Sequence, residues 1–290
     1  MARAGHTLAL GVCLLFSLTL VLRADDISTL VDKVSERVAA YYAGAQSIVV
    51  QETVRIQHMD RGMAPVGHAS VLVYDDHVEW TPASEGHPAA ASVVRQLLKI
   101  DNRPPRPPRK DDDWRCFQNT TTSAEALTIL LPGRREAYIF TSAGAGKTDG
   151  RNSLMIDYRE RVVGQPKATW DDRCLTLDLP GREHGRIWVD AKTFDVLRVD
   201  EEINGNFSVD IPDFKDGIQT RERYMSLQRA STSTRYQLMK FAAPDEELLV
   251  PKSIESFDRW SGNDNIRITQ TFSRYRRFVG ESHIVTEPKQ

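Results

Sequence analysis

Cysteine is scarce in this chain. Three occur in 290 residues, at Cys13, Cys116 and Cys174, and none forms a CxxC pair. Zinc fingers and ribbons, which need clustered thiolates and imidazoles, are excluded. The seven histidines (His6, His58, His68, His77, His87, His184 and His283) are dispersed, and no two share a helical i, i+4 face. His58, His68 and His77 would converge only if their strands paired, and they read as strand-surface residues. No metal and no cofactor are expected. There is no GxSxG elbow and no cysteine with a catalytic signature around it. The adjacent acids Asp111–Asp113 and Asp171-Asp172 read as solvated turns, because acid–base chemistry uses separated carboxylates in different environments. No catalytic residue stands out, and the chain is not read as an enzyme. An excess of basic charge is also missing: 38 Lys and Arg stand against 40 Asp and Glu, a net charge of -2. Nucleic acid is therefore excluded as a partner.

A second long apolar run is absent too. The first is Leu8–Leu22, preceded by Arg3. Its length suits a secretory signal and falls short of the ~20 residues of a membrane span. Ala24 offers a small residue before a cut, although Leu22 sits where a smaller one is preferred. Residues 1–24 are expected to be a signal peptide and 25–290 one exported domain, periplasmic or extracellular; the rival is an uncleaved N-terminal anchor. Val12 precedes Cys13 and the apolar run continues beyond it, unlike a lipidation site. The signal carries two arginines and no acid, so the mature charge falls from -2 to about -4. Its removal also leaves Cys116 and Cys174. An even pair in an exported chain suits a disulfide, but two free thiols fit equally well, since two cysteines carry no spacing pattern.

The mature chain opens with a helix. Ile27, Leu30, Val31, Val34 and Val38 recur at helical spacing, Asp25 or Asp26 can cap it, and Gly44 ends it. Its one-sided apolar stripe must lie on something apolar. Strand patterns dominate afterwards. Ser47–Met59 alternates and is β-branched, and His68–Tyr74 and His77–Trp80 flank Asp75-Asp76, which reads as a hairpin turn. Ala89–Ile100 reads as a short helix or a strand. Asn102–Lys110, with Asp111–Asp113 after it, is a proline-rich surface loop near 102–113, rigid rather than a docking strip. Ser123–Leu131 reads as a short capped helix stopped by Pro132-Gly133. Nine strands are expected beyond it: Ala137–Ser142, Ser153–Arg159, Cys174–Leu179, Gly185–Val189, Val196–Glu202, Arg221–Arg229, Thr234–Lys240, Ser253–Trp260 and Asn265–Phe278. Such regular strands with turns between them form a large antiparallel sheet.

Ala143–Thr148 (AGAGKT) looks like the end of a phosphate-binding loop. The motif needs a glycine where Thr141 stands, and a helix where Asp149-Gly150 and a strand follow. A hairpin loop accounts better for the glycines, and no nucleotide is expected. In Thr271–Phe278, Arg274, Arg276 and Arg277 alternate with Phe272, Tyr275 and Phe278. This reads as a closing strand with arginines outward rather than as an anion site.

In Gly185–Arg198 (GRIWVDAKTFDVLR), Asp190 is placed to accept turn N–H groups. The W-x-D-x-x-T pattern of Trp188, Asp190 and Thr193 resembles the strand–turn–strand segment of LolA/LolB-like periplasmic proteins. The resemblance implies a curved antiparallel sheet, an incomplete barrel, over helices, with a cavity that takes up lipoprotein acyl chains. The proline-rich insert departs from that compact pattern. A longer likeness, through Arg103–Lys110, Ala126–Pro132, Asp149–Tyr158, Gly185–Glu202, Pro244–Ser253 and Thr271–Phe278, resembles uncharacterised exported proteins typical of Acidobacteria and implies no activity.

The expected fold is α+β, mainly β: a large curved antiparallel sheet, LolA-like, closed by an N-terminal helix and one or two short helices. The expected function is non-catalytic binding of a lipid or lipidated partner in an apolar cavity. Leu30, Val34 and Val38 on the helix, with Trp188 and Val196 on the hairpin, are candidate cavity liners whose bland role is core packing. A periplasmic sensor of an envelope protein and a hydrolase assembled from distant residues are the rivals.

Overall fold

The computed structural model describes residues 24–85, 87–107, 109, 126–171, 174–203, 205–215, 218–242, 245–261 and 265–277. The remainder of the signal segment, Cys13, Cys116, Asp111–Asp113, the Ser123 cap, His6, His283 and Phe278 lie outside them.

Helix α1 (Ala24–Ala45) forms where the 3.6-residue period places it. Leu30, Val31, Val34, Val38, Tyr42 and Ala45 are all buried along one stripe, and Asp32, Lys33, Glu36 and Arg37 are exposed. Gly44 sits where the helix meets the sheet closely: a Cβ there would come within 3.1 Å of the Leu248 side chain.

Thirteen strands follow among the described residues. They are β1 (Ile48–Met59), β2 (Pro65–Thr81), β3 (Ala90–Ile100), β4 (Tyr138–Thr148), β5 (Arg151–Glu160), β6 (Lys167–Asp171), β7 (Cys174–Asp178), β8 (Glu183–Asp190), β9 (Val196–Ile203), β10 (Phe207–Lys215), β11 (Ile218–Ala242), β12 (Asp245–Trp260) and β13 (Asn265–Arg277). Eleven form one sheet in the order β3-β2-β1-β13-β12-β11-β9-β8-β5-β4, with β10 on β11; β6 and β7 form a separate hairpin. Every ladder is antiparallel. Helix α1 touches β2 near one edge, β12 in the middle and β4 at the other edge. The sheet therefore curls around the helix. Its edges β3 and β4 are not paired to each other among the described residues, so the barrel is incomplete. This is the mainly-β, open antiparallel sheet expected from the sequence. Each fully buried Val or Leu of α1 contributes about 1.5–3 kcal/mol to holding it there.

Several local expectations are corrected. Asp75-Asp76 is no turn. Strand β2 runs straight through it, because Asp75 pairs with Arg276 and Asp76 turns inward toward Arg95. The hairpin turn lies earlier, where Ala64 N donates to Asp60 Oδ1 and Met63 takes a left-handed φ of 68°. Ala90–Ile100 is strand throughout. As expected, a helical stretch ends before Pro132, with Ala126–Leu127 α-helical and a 3-10 turn at Thr128–Leu130, but Pro132 also opens a further short helix, α2 (Pro132–Arg135). The segments Arg221–Arg229 and Thr234–Lys240 belong to one strand, β11. AGAGKT is not a loop but part of β4, which bulges between Ser142 and Gly144. The turn proper is Asp149-Gly150, both at positive φ (49° and 79°), as a tight hairpin requires.

Candidate functional site

Side chains of β8 alternate between the two faces of the sheet. Ile187 and Val189 are fully buried in the core cluster that α1 enters, so Arg186 and Trp188 face the other way. Leu30, Val34, Val38 and Val196 all join that core cluster. Trp188 does not join that cluster. It lies on the face away from α1, with the Arg198 guanidinium 4.6 Å from its ring centre.

The apolar pocket lies further along α1, beneath its C-terminal turns. Helix α1 contributes Tyr41 and Ala45. The sheet contributes Ile48 and Val50 (β1), Val78 (β2), Val93 (β3), Val250 and Pro251 (β12), and Phe272 and Tyr275 (β13). Asp76 and His77 complete the lining, and the free volume is about 30 Å³. The alternation that buries Ile48 and turns Val78 and Val93 inward is present in the sequence. The pairing of β1 with β13, which brings Phe272 opposite Glu52, is not.

Beside this pocket lies a buried charge cluster without a sequence signature. Glu52 is 0% exposed and Asp76 3%. The Arg95 guanidinium pairs with Glu52 and stands 4.0 Å from Asp76, with its plane 4.7 Å from the Tyr74 ring centre. Both Asp76 carboxyl oxygens lack hydrogen-bond partners. Burial, then the Glu52 charge, pushes the Asp76 carboxyl up to about 9, against the pull of Arg95. Two buried carboxyl groups thus face a single guanidinium. Further along the sheet, on β12, burial alone raises Asp258 to about 6.

A second concavity of about 810 Å³ opens on the face away from α1, along β5, β8 and β9. On the core side of the same strands, burial and the neighbouring Glu183 charge push Glu201 up to about 8, and burial with the Glu160 charge raises Glu183.

The hairpin that carried the W-x-D-x-x-T pattern is built as expected. Asp190 Oδ1 accepts from Lys192 N at 2.8 Å and Thr193 N at 2.9 Å, and Asp190 Oδ2 meets Arg151 Nε at 2.8 Å. These bonds hold its carboxyl below the ordinary range, against burial. Two arginines of β13 are tied to other strands, Arg276 to Asp75 and Arg277 to Glu246. No group of His, Cys, Asp and Glu among the described residues could hold a metal ion. No helix among them is long and apolar enough to cross a membrane. Cys174 is disulfide-bonded.

These features describe an open antiparallel half-barrel closed on an amphipathic helix, with an apolar pocket between the two layers. No family model and no curated protein matches the chain. Among solved structures it is similar to a putative outer membrane lipoprotein-sorting protein domain from Vibrio parahaemolyticus, at 9% identity over 86% of this chain and 93% of that one, with a TM-score of 0.43. It is also similar to a DUF1329 family protein from Desulfovibrio piger, at 10% identity, 88% and 95% coverage and TM-score 0.40. A LolA superfamily protein from Nitrosomonas europaea stands at 12% identity, 89% and 97% coverage and TM-score 0.38. At these identities and scores the likeness is one of chain layout.

Proposed function

We propose that the chain is an exported, non-catalytic envelope protein that binds the acyl chain of a lipid or lipidated partner between α1 and the sheet. One observation carries the reading: ten of the twelve residues lining the pocket are apolar or aromatic, and they converge from the helix and five strands. The free volume, about 30 Å³, is too small for a chain as it stands, so entry requires α1 to move. Its polar ties are placed to allow that. Asp32 pairs with Arg135, Ser35 donates to Leu130 O at 2.5 Å, and Arg37 meets Asp195 at 2.7 Å, all N-terminal to the pocket. In the same C-terminal turns, Tyr42 stacks on Trp80 of β2 with the ring planes 10° apart. The C-terminal turns swing outward while the N-terminal turns stay pinned.

In this reading residues 25–290 form a single periplasmic or extracellular domain released by cleavage near Ala24, and Cys174 bonds to Cys116. Titration with cis-parinaric acid, together with native mass spectrometry of protein purified from its own envelope, tests the binding. Saturable probe fluorescence and a co-purified lipid mass are expected. Absence of both overturns the proposal.

A further inference from the structure

The concavity on the face away from α1 has a different chemistry. Three strands place their outward side chains in register across it. Asp157, Arg186 and Asp200 form one row, and Arg159, His184 and Glu202 the next. Most of these charges are already spent on one another, Arg159 being the exception. Arg186 grips Asp157 with two bonds of 2.5 and 2.9 Å. Arg198 grips Asp200 with two of 2.7 and 2.6 Å, and Arg229 meets Glu202 at 2.5 Å. A charged peptide or a free anion would have to break these pairs. A hydroxyl would not, because a guanidinium with two of its five N–H groups engaged keeps three, and a paired carboxylate keeps unused lone pairs.

The same concavity holds unanswered polar groups. Arg182 Nε and His184 Nδ1 are buried without hydrogen-bond partners in residues that line it. Ile139 supplies apolar wall, as does Trp188 beside the Arg198 guanidinium that lies 4.6 Å over its ring. A volume of about 810 Å³ accommodates several sugar rings. We infer that this concavity is a second binding site, for a neutral oligosaccharide, whose hydroxyls add to the paired carboxylates and guanidiniums and whose ring faces lie against Trp188.

Chitotetraose and maltotetraose, titrated separately into the full mature chain and followed by saturation-transfer NMR and calorimetry, test the inference, with inorganic phosphate as the anion arm. Saturable binding of at least one tetrasaccharide is expected. Trp188→Ala and Arg159→Ala should each weaken it roughly tenfold, while cis-parinaric acid binding in the apolar pocket stays unchanged. Arg159 is exposed on the surface, so its replacement keeps the test intact if Trp188→Ala fails to fold. The inference is overturned if neither sugar binds at roughly 10 mM, if phosphate alone binds, or if sugar binding survives Arg159→Ala at full strength.

Discussion

The Tyr158 ring lies directly across Gly185, its cross-strand partner on β8. A Cβ at position 185 would fall 2.7 Å from the ring and 2.1 Å from the Asp200 carbonyl oxygen. The glycine is needed for space between three strands and not for an unusual φ. Gly185→Ala is therefore expected to destabilise the fold by about 1–3 kcal/mol through overpacking, read as a lower urea midpoint. Adding Tyr158→Leu should not restore wild-type stability, because the clash with backbone remains. Full rescue by that second change would contradict the account.

Arg95 and Glu52 form a pair inside the sheet, with side-chain exposures of 8% and 0%. Removing one member leaves the other as an uncompensated buried charge. Arg95→Met should cost about 3–5 kcal/mol in urea unfolding, and the double variant Arg95→Met with Glu52→Leu should recover much of that loss. A double-mutant cycle with no coupling energy would show that the pair is not a unit.

Asp76 makes stability depend on pH in a defined direction. Its folded carboxyl titrates at about 9, far above the ordinary 3.8, because burial and Glu52 oppose its charge. Between those values the folded chain holds a proton that the unfolded chain releases. Its contribution is complete at pH below about 4 and is lost as pH rises toward 9. Glu201, raised to about 8, adds a slope of the same sign. Asp76→Asn should flatten the fall in unfolding free energy between pH 6 and 9, compared by urea melts across that range; an unchanged slope would assign the effect elsewhere.

Much of this architecture was legible because it rests on local periodicity. The stripe from Leu30 to Val38 announced α1, and alternation announced most strands. What failed was nonlocal. Asp75-Asp76 carries turn residues, and only Arg276 and Arg95, from distant strands, hold it extended. The run Ile187-Trp188-Val189 showed that Trp188 opposes its neighbours, but not which face α1 covers. The apolar pocket draws on β1, β12 and β13, paired from opposite ends of the chain, and Glu52 has no helical or strand signature to mark it as buried.

Cys174 is disulfide-bonded, and Cys116 is its proposed partner. A peptide map of the unreduced chain should contain one species joining the two segments, lost on reduction. Closing that loop should add about 2–4 kcal/mol, so reduction should lower the thermal midpoint. A map in which Cys174 joins Cys13 would refute both the pairing and the cleavage of the signal.

Pocket and core can be separated by two valines. Val34 is 0% exposed and packs in the core under α1 without reaching the pocket, whereas Val93 lines the pocket from β3. Val34→Ala removes buried methyls and should cost about 2 kcal/mol of stability. Its acyl-probe affinity should stay within about twofold at a temperature where the variant is folded. Val93→Trp should act in the opposite way. The indole occupies the space an acyl chain would enter, so cis-parinaric acid affinity should fall at least roughly tenfold, with the circular dichroism spectrum retained. The distinction matters because α1 serves both regions: if its displacement admits the chain, loosening the core at Val34 should also speed probe association in stopped-flow, while Val93→Trp should abolish the amplitude. Equal loss of affinity in both variants would mean that the probe reports stability and not the pocket.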